Sequence, residues 1–508
     1  MDMLCKAKIA YFLDIPNGLG GAGNLLLQQA RLMSDIYDVV VVIPLDSDGN
    51  TNEEYAKRCE QYTLSHCSLS YSTSSDFCNI DFCGAVKSVK SIEKLVKKEK
   101  ITFFHTVQLN IAVEYVARKL HIPHVMDIYQ LREEEFECCP GDIYPHYHLC
   151  DSIMYMERWS RRLKIESRCV RPVAMLNNIR KKKKYSKEKM HILMLGNICE
   201  RKNQLMAIKV CELCIIGGIQ IELTIAGSTD GIYAQKCMQY IKEHNLQNNV
   251  FFKGFVSNIV PLLEYNDCLL CTSIDESFPS SIVEALTYDL TIISTPIAGV
   301  PEIFQNKENA FISKDFLIDS IYTSLLECID SYNNGSIDQI HKNAERTWRD
   351  NFEREKVKGQ INEFYLQIYG EIFHSNNDFN NIMPEVKRTV NILSSIYKNC
   401  DEMQKRALYH TKLRKELPHT KMYLWGAGKM GAYAYKILSM ICPGLNIIAF
   451  VDRNREGCYL GLPIIKIEEM PIDKSCLYGI AFINGIEEAI NFFDKKDLHL
   501  NKQVWIVP

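Results

Sequence analysis

The sequence predicts an α/β protein assembled from doubly wound units, each a parallel sheet covered by helices on both faces. Three observations carry that prediction. Short, near-continuous apolar runs alternate with helical patterns from residue 9 onward, as strands buried on both faces require. Glycine-rich turns follow an apolar run in three separate stretches, at Gly18–Gly23, at Gly196 and at Gly426–Gly431. The chain has 508 residues, too many for one core, and a prior of about 150 residues per domain suggests three.

Taken in order, Ile9–Leu13 is the first strand, followed by the loop Asn17-Gly18-Leu19-Gly20-Gly21-Ala22-Gly23 and a helix beginning at Asn24. Val39–Leu45 is the next strand. A helix near Lys87–Lys98, a strand Ile101–His105, a helix around Ala112–Leu120 and a strand Pro123–Ile128 continue the first unit, assigned to residues 1–180. The basic stretch Arg180–Lys184 reads as a solvated linker. The pattern then restarts with strand His191–Leu195, helix Gln204–Cys214, strand Gln220–Ala226, helix Tyr233–His244 and strand Val250–Phe252. Strand Cys268–Cys271, helix Ser281–Leu286 and strand Thr291–Ser294 complete a second unit over 185–350. Trp348–Tyr369 is a long amphipathic helix candidate, of which 351–373 is assigned as a return to the first unit. After a polar loop, His374–Asn381, a helical linker is expected over 382–417, and a third doubly wound unit over 418–508.

Composition narrows the function classes. Hydrophobic residues at 47% and charged residues at 24% are those of a soluble globular protein. Lys and Arg number 59 against 62 Asp and Glu, a net charge of -3, which gives no field to attract nucleic acid. The apolar run Val39–Ile43 is far shorter than the roughly 20 residues needed to span a bilayer, and no cleavable leader is apparent at the N-terminus. Twenty cysteines scattered among apolar positions read as small hydrophobes in a reducing compartment, so a cytoplasmic setting is expected. Cys138, Cys139, His146, His148 and Cys150 cluster in sequence at a spacing that fits no regular zinc pattern, and no metal is expected. Arg158, Arg161, Arg162 and Lys181–Lys184 have two readings: a solvated charge run, or a peripheral contact with anionic lipid at the inner membrane face.

The strongest chemical signal is Asp275–Leu286. Glu276 and Glu284 are separated by seven residues, the first in the loop after a strand and the second inside the following helix. A helix starting near Ser280 or Ser281 presents free N–H groups and its positive dipole end to a phosphate, and Glu284, about one turn in, is placed to accept from a pair of sugar hydroxyls. Taken alone, the two glutamates read first as ordinary surface acids on a capped helix.

Their neighbours set the context. Gly196-Asn197-Ile198-Cys199-Glu200-Arg201-Lys202, Leu223–Gly227, Phe252-Lys253-Gly254-Phe255-Val256, the Glu276/Glu284 pair and Thr295–Glu302 occur in the order found in the retaining GT-B glycosyltransferases, family 4 in particular, which the chain resembles over about residues 8–370. The resemblance implies a GT-B fold, two doubly wound Rossmann-like domains facing a cleft, with a third small Rossmann-like domain appended. It implies transfer of a hexosyl-type sugar, with retention, from a nucleoside-diphosphate sugar to a glycan or lipid-linked acceptor, in surface polysaccharide assembly, with no metal or other cofactor required. It assigns Lys202 to the diphosphate, Glu284 to the ribose, Glu276 to the donor sugar, the backbone of Ser277, Phe278, Pro279, Ser280 and Ser281 to phosphate or sugar oxygens, Gly254, Phe255 and Val256 to the base, and Gly20 and Gly21 to the diphosphate from across the cleft. Gly196 marks the strand end.

This sequence departs from the family's pattern at two places. Asn197 stands where an arginine is usual, with Arg201 nearby, and Tyr129 stands where a histidine is common. His105, at the end of the preceding strand, is the other candidate for a polar catalytic role and reads equally as a structural histidine. These departures keep open a second reading, a sugar-nucleotide-binding protein without turnover. In the third unit, Gly426, Gly428 and Gly431 with Asp452 about 20 residues later have the spacing of a dinucleotide fingerprint. The stretch Val451–Ile464 resembles small modules attached to sugar-modifying transferases, so a nucleotide-binding or architectural role is expected there, with NAD(P) chemistry as the alternative.

Overall fold

The structure is a computed structural model, and it describes residues 7–46, 48–71, 82–129, 145–163, 166–176 and 189–374. In the last unit it describes 421–428, 430–432, 434–435, 438, 445–482, 486–499 and 503–506. The expected linker helix 382–417 lies outside the described residues, as do Cys138, Cys139 and Lys181–Lys184.

The first sheet has seven parallel strands, β1 (Lys8–Phe12), β2 (Asp38–Pro44), β3 (Ser65–Leu69), β4 (Phe103–Val107), β5 (His124–Ile128), β6 (Tyr147–Cys150) and β7 (Glu166–Cys169), in the order β3-β2-β1-β4-β5-β6-β7. Helices α1 (Gly21–Met33), α2 (Glu53–Gln61), α3 (Phe82–Glu99), α4 (Ile111–Leu120) and α5 (Ile153–Leu163) connect them. Strands β4 and β5 are buried at every residue, and the polar residues they carry, His105, Thr106, His124 and Asp127, are buried with them. Asn52 caps α2 by accepting from the N–H groups of Glu54 and Tyr55 at 3.1 and 3.3 Å. The reading of Gly20–Gly23 as loop gives way here. The helix begins at Gly21, so the glycines form its first turn, and Gly23 is required because a Cβ there would meet the Tyr55 hydroxyl at 2.0 Å.

The second sheet has six parallel strands, β8 (Met190–Leu195), β9 (Ile221–Ala226), β10 (Val250–Phe252), β11 (Cys268–Cys271), β12 (Thr291–Ser294) and β13 (Phe311–Ile312), in the order β10-β9-β8-β11-β12-β13. Its helices are α6 (Gln204–Ile216), α7 (Ile232–Glu243), α8 (Val260–Tyr265), α9 (Ser280–Thr287), α10 (Ile318–Asn334) and α11 (Ile337–Asn351). The long helix expected at Trp348–Tyr369 is instead two. Chain α11 ends at Asn351, Phe352 is fully buried in the second unit's core, and α12 (Arg354–His374) starts anew. The break lets one sequence serve two cores: Trp348 and Phe352 pack with Phe278 and Ile282, whereas Val357, Ile361, Phe364, Tyr365 and Ile368 pack with Tyr11 and Phe103 of the first unit.

A third sheet, of β14 (Lys421–Trp425), β15 (Asn446–Val451), β16 (Gly457–Tyr459), β17 (Leu462–Ile465), β18 (Leu477–Ile480) and β19 (Val504–Ile506), has the order β16-β17-β15-β14-β18-β19, with β16 antiparallel to β17 and the other pairs parallel. Its glycine spacing has a packing cause: a Cβ on Gly431 would lie 1.7 Å from the Gly426 carbonyl oxygen.

Candidate active site

The C-terminal strand ends of the first two sheets face each other across a cleft of about 820 Å³. This is where open α/β sheets bind ligands, because the helix starts and loops converge there. One wall comes from the first unit: Leu19 to Ala22, Asn24, Leu25 and Gln28 at the start of α1, Lys57, Arg58 and Tyr62 around α2, Gln108, Tyr129 and Asp151. The other comes from the second: Gly196, Asn197, Arg201, Lys202, Phe255, Val256, Glu276, Ser277, Phe278, Ser280, Ser281 and Glu284. Most of the residues singled out from sequence therefore meet around one cavity. Pro279 and Gly254 stand just behind its lining. Pro279 is the residue from which α9 starts, and Gly254 is a left-handed turn residue at φ +68°.

Gly196 adopts φ +133°, and a Cβ there would lie 3.2 Å from Lys202 Cε, so the glycine leaves room for the lysine to fold back into the cleft. Lys202 Nζ stands 2.7 Å from Glu276 Oε1, and Arg201 is 3.6 Å from the same oxygen while donating to the Asp275 carbonyl at 3.0 Å. Ser273 also donates to Glu276. Glu284 is half-buried on α9, and burial pushes its carboxyl up to about 7 against the opposing pull of Lys202 and Arg58. Ser280 and Ser281 are in the first turn of α9, where backbone N–H groups lack intrahelical acceptors and the dipole favours an anion.

Tyr129 lines the cleft, donates to Asp127 Oδ2 at 2.5 Å and accepts from Gln29 Nε2 at 3.2 Å. Burial and the adjacent Asp127 carboxylate raise its phenol well above the usual value, so its proton stays in place. His105 is a correction to the sequence reading. It is fully buried between Asp127, at 2.8 Å from Nε2, and the Tyr365 hydroxyl, and it does not line the cleft. Its strand position turns it into the core, where it holds Asp127, which in turn holds Tyr129.

Sequence reasoning missed the link between the two walls. Ser277 donates to the buried Asp151 carboxyl and lies 3.0 Å from the Ser152 hydroxyl, and Tyr155 donates to Asp275 at 3.2 Å. Glu302 of the second unit accepts from the N–H groups of Ile153 and Met154 at 2.9 and 2.8 Å, capping α5 of the first, and pairs with Arg171 at 2.6 Å. Burial pushes the Asp151 carboxyl up to about 8, with the Ser277 hydrogen bond opposing. An Asp-Ser pair after an apolar strand was the only signal in the sequence. Arg58 and Gln28 were missed because α2 was not predicted and α1 reads as uniformly apolar.

In the third unit the carboxylate of Asp452 is turned into its own loop. It accepts from Ala427, Asn454 and Arg455 N–H groups at 2.9, 2.9 and 3.1 Å, which commits most of its lone pairs before any ribose arrives. Gly428 faces open space. The described cysteines are free thiols, and among the described residues no group of three or more His, Cys, Asp or Glu is arranged to hold a metal. No helix among the described residues is long and apolar enough to cross a membrane.

Two facing doubly wound units with a phosphate-suited cleft between them define the GT-B class. Solved structures agree on the fold: Anabaena HepE, crystallised with UDP and glucose, superposes with a TM-score of 0.57 over 71% of this chain and 100% of its own, at 17% identity. A glycosyltransferase from Rickettsia africae does so with a TM-score of 0.56 over 73% of this chain and 100% of its own, also at 17% identity. Residues 176–347 match the family described as glycosyl transferases group 1. A curated relative, an uncharacterized glycosyltransferase of Methanocaldococcus jannaschii, is 30% identical over 109 residues, which are 22% of this chain and 26% of that one. The capsular polysaccharide biosynthesis glycosyltransferase CapH of Staphylococcus aureus is 28% identical over 131 residues, 25% of this chain and 37% of CapH. The match thus spans between a quarter and two fifths of these relatives' own length.

Proposed function

We propose that the protein transfers a sugar from a nucleoside-diphosphate sugar to a glycan or lipid-linked acceptor, with retention of the anomeric configuration. The observation that carries this reading is the meeting of Lys202, Glu284 and the α9 N-terminus on one wall of one cleft. A glycosyl donor breaks its bond through an oxocarbenium-like state while the diphosphate gains charge, so fixed positive charge at the leaving group is the main requirement. Lys202 and the first-turn N–H groups of Ser280 and Ser281 meet it. Glu284 accepts from the ribose hydroxyls, Phe255 and Val256 border the base, and Glu276, released from Lys202 by the incoming diphosphate, orients the donor sugar opposite Tyr129. The residues present ask for no metal in this scheme. Retention rests on the resemblance to retaining enzymes, and surface polysaccharide assembly on the match to CapH. The remaining assignments, to a cytoplasmic setting and to a third unit that binds a nucleotide or serves architecture, belong to the same reading. Peripheral contact with the inner membrane face is the part with least behind it, since Arg161 is already paired with Glu157 at 3.0 Å.

The experiment is a titration of the full chain with UDP, GDP, ADP and dTDP, followed by hydrolysis of the matching nucleotide sugar. Wild type is expected to bind one diphosphate and to hydrolyse its sugar slowly without acceptor, with both properties reduced in Glu284→Ala. Binding of none of the four sinks the reading. A second reading, binding without turnover, is favoured by the firmly held phenol of Tyr129 and by the neutral Asn197. Tight binding with no turnover on any acceptor would select it.

A further inference from the structure

The cations of the cleft are unequally committed. Lys202 is paired with Glu276 at 2.7 Å, Arg201 is tethered to Glu276 and the Asp275 carbonyl, and Lys57 is paired with Glu53 at 3.3 Å. Arg58, one residue along, lines the cleft from the opposite unit, and among the described residues it makes no ion pair; its guanidinium lies over the Tyr62 ring, 5.8 Å from the centroid. Its charge acts on Glu284, the same carboxyl that Lys202 acts on, so the two cations face one region from the two walls. A second, independent observation comes from α1. Gln28 lines the same wall, is only 5% exposed, and its Oε1 has no hydrogen-bond partner among the described residues. A buried amide oxygen left unsatisfied costs about 1–3 kcal/mol, so the site is built for a donor that the chain does not itself supply.

We propose that the first unit's wall carries part of the donor site: Arg58 reaches across the cleft to a phosphate of the nucleoside diphosphate and supplies the second cation that the strand-end residue Asn197 does not, while Gln28 Oε1 accepts from a ligand hydroxyl. This rests on the reading of the protein as a nucleotide-sugar transferase and extends it, because a charged side chain of the first unit then joins the Gly20 and Gly21 backbone at the diphosphate. Arginine suits the role, since its planar fork pairs with phosphate oxygens two at a time.

The test compares UDP and uridine as ligands of the full-length protein, by calorimetry and by saturation-transfer NMR. The proteins are wild type, Arg58→Ala, Arg58→Lys and the double variant Arg58→Ala/Asn197→Arg. Arg58→Ala is expected to weaken UDP about 10- to 100-fold and uridine not at all, with partial recovery in Arg58→Lys and in the double variant. UDP binding equal to wild type in Arg58→Ala overturns the proposal, and so does an equal weakening of UDP and uridine, which would make Arg58 a packing residue. Absence of binding to UDP, GDP, ADP and dTDP by the wild-type protein is a different result: it removes the transferase reading on which the proposal stands. Thermal melts of each variant verify folding, and Arg58→Lys supplies a folded cationic control.

Discussion

Glu284 gives a pH dependence that can be worked through. Its carboxyl, ordinarily near 4.5, is raised to about 7 by burial. That difference corresponds to about 3 kcal/mol between its two protonation states. Between pH 4.5 and 7 the folded protein keeps a proton on Glu284 that the unfolded chain has lost. Stability from this group is therefore complete below about pH 4.5 and declines as pH rises through 7. Glu284→Gln removes the term, so the variant should gain on wild type by up to about 3 kcal/mol at pH 8 and by nothing at pH 4. Binding runs the other way, because ribose hydroxyls donate best to the carboxylate. About one Glu284 in thirty is ionised at pH 5.5 and about nine in ten at pH 8, so UDP affinity should rise about thirtyfold across that range, over and above the titration of UDP itself. Calorimetry on wild type and Glu284→Gln in parallel isolates the term, since the phosphate titration is common to both. Equal pH slopes in the two proteins would refute the assignment of Glu284 to the ribose.

Three further outcomes follow from the geometry. Lys202→Ala should lower donor turnover about 10²- to 10³-fold while the melting temperature holds, measured as nucleotide-sugar hydrolysis, because it removes the leaving-group cation and not a core contact. Asp151→Asn should be close to neutral below pH 4 and progressively stabilising between pH 4 and 8, read by urea unfolding. The carboxyl, raised to about 8 by burial, keeps in the folded protein a proton that the unfolded chain loses near pH 3.8, so its stabilising contribution is complete below that pH and is lost as pH rises through 8. Gly196→Ala should cost about 1–3 kcal/mol and weaken UDP binding together, since an alanine at φ +133° is strained and its Cβ crowds Lys202; unchanged UDP affinity would detach Gly196 from the site.

What was legible in the sequence divides by physical cause. Strands β4, β5, β8 and β11 announce themselves because they are largely buried on both faces and most of their residues are apolar. Strands β3 and β7, Ser-His-Cys-Ser-Leu and Glu-Ser-Arg-Cys, sit at the two opposite edges of the first sheet and carry no such run. Helix α2 was missed for a related reason: only Tyr55 and Cys59 of its nine residues are buried, so its apolar stripe is too thin to stand out. The second unit's half of the cleft was readable because its glycines, Lys202 and the two glutamates lie at fixed offsets along one segment. The first unit's half was not, because Gln28 comes from α1, Arg58 from α2, and Tyr129 and Asp151 from the ends of β5 and β6, and only the fold brings them together. His105 was read at a strand end, whereas it is the central residue of β4 and points into the core, a distinction that depends on register, which flips every side chain with a one-residue slip.

The return helix α12 has a further consequence. Tyr365 hydrogen-bonds Tyr11 at 2.9 Å and the buried His105, which holds Asp127 and through it Tyr129 at the cleft. The first unit therefore completes its own wall only with a residue that leaves the ribosome after the whole second unit. Until then Tyr11 and His105 lack their partner, and the anchorage of Tyr129 is unfinished. A nascent chain stopped before residue 354 would carry both sheets and an imperfect cleft. Competence of the cleft thus arrives only after both sheets are made, with the helix that carries the chain back from the second unit to the first.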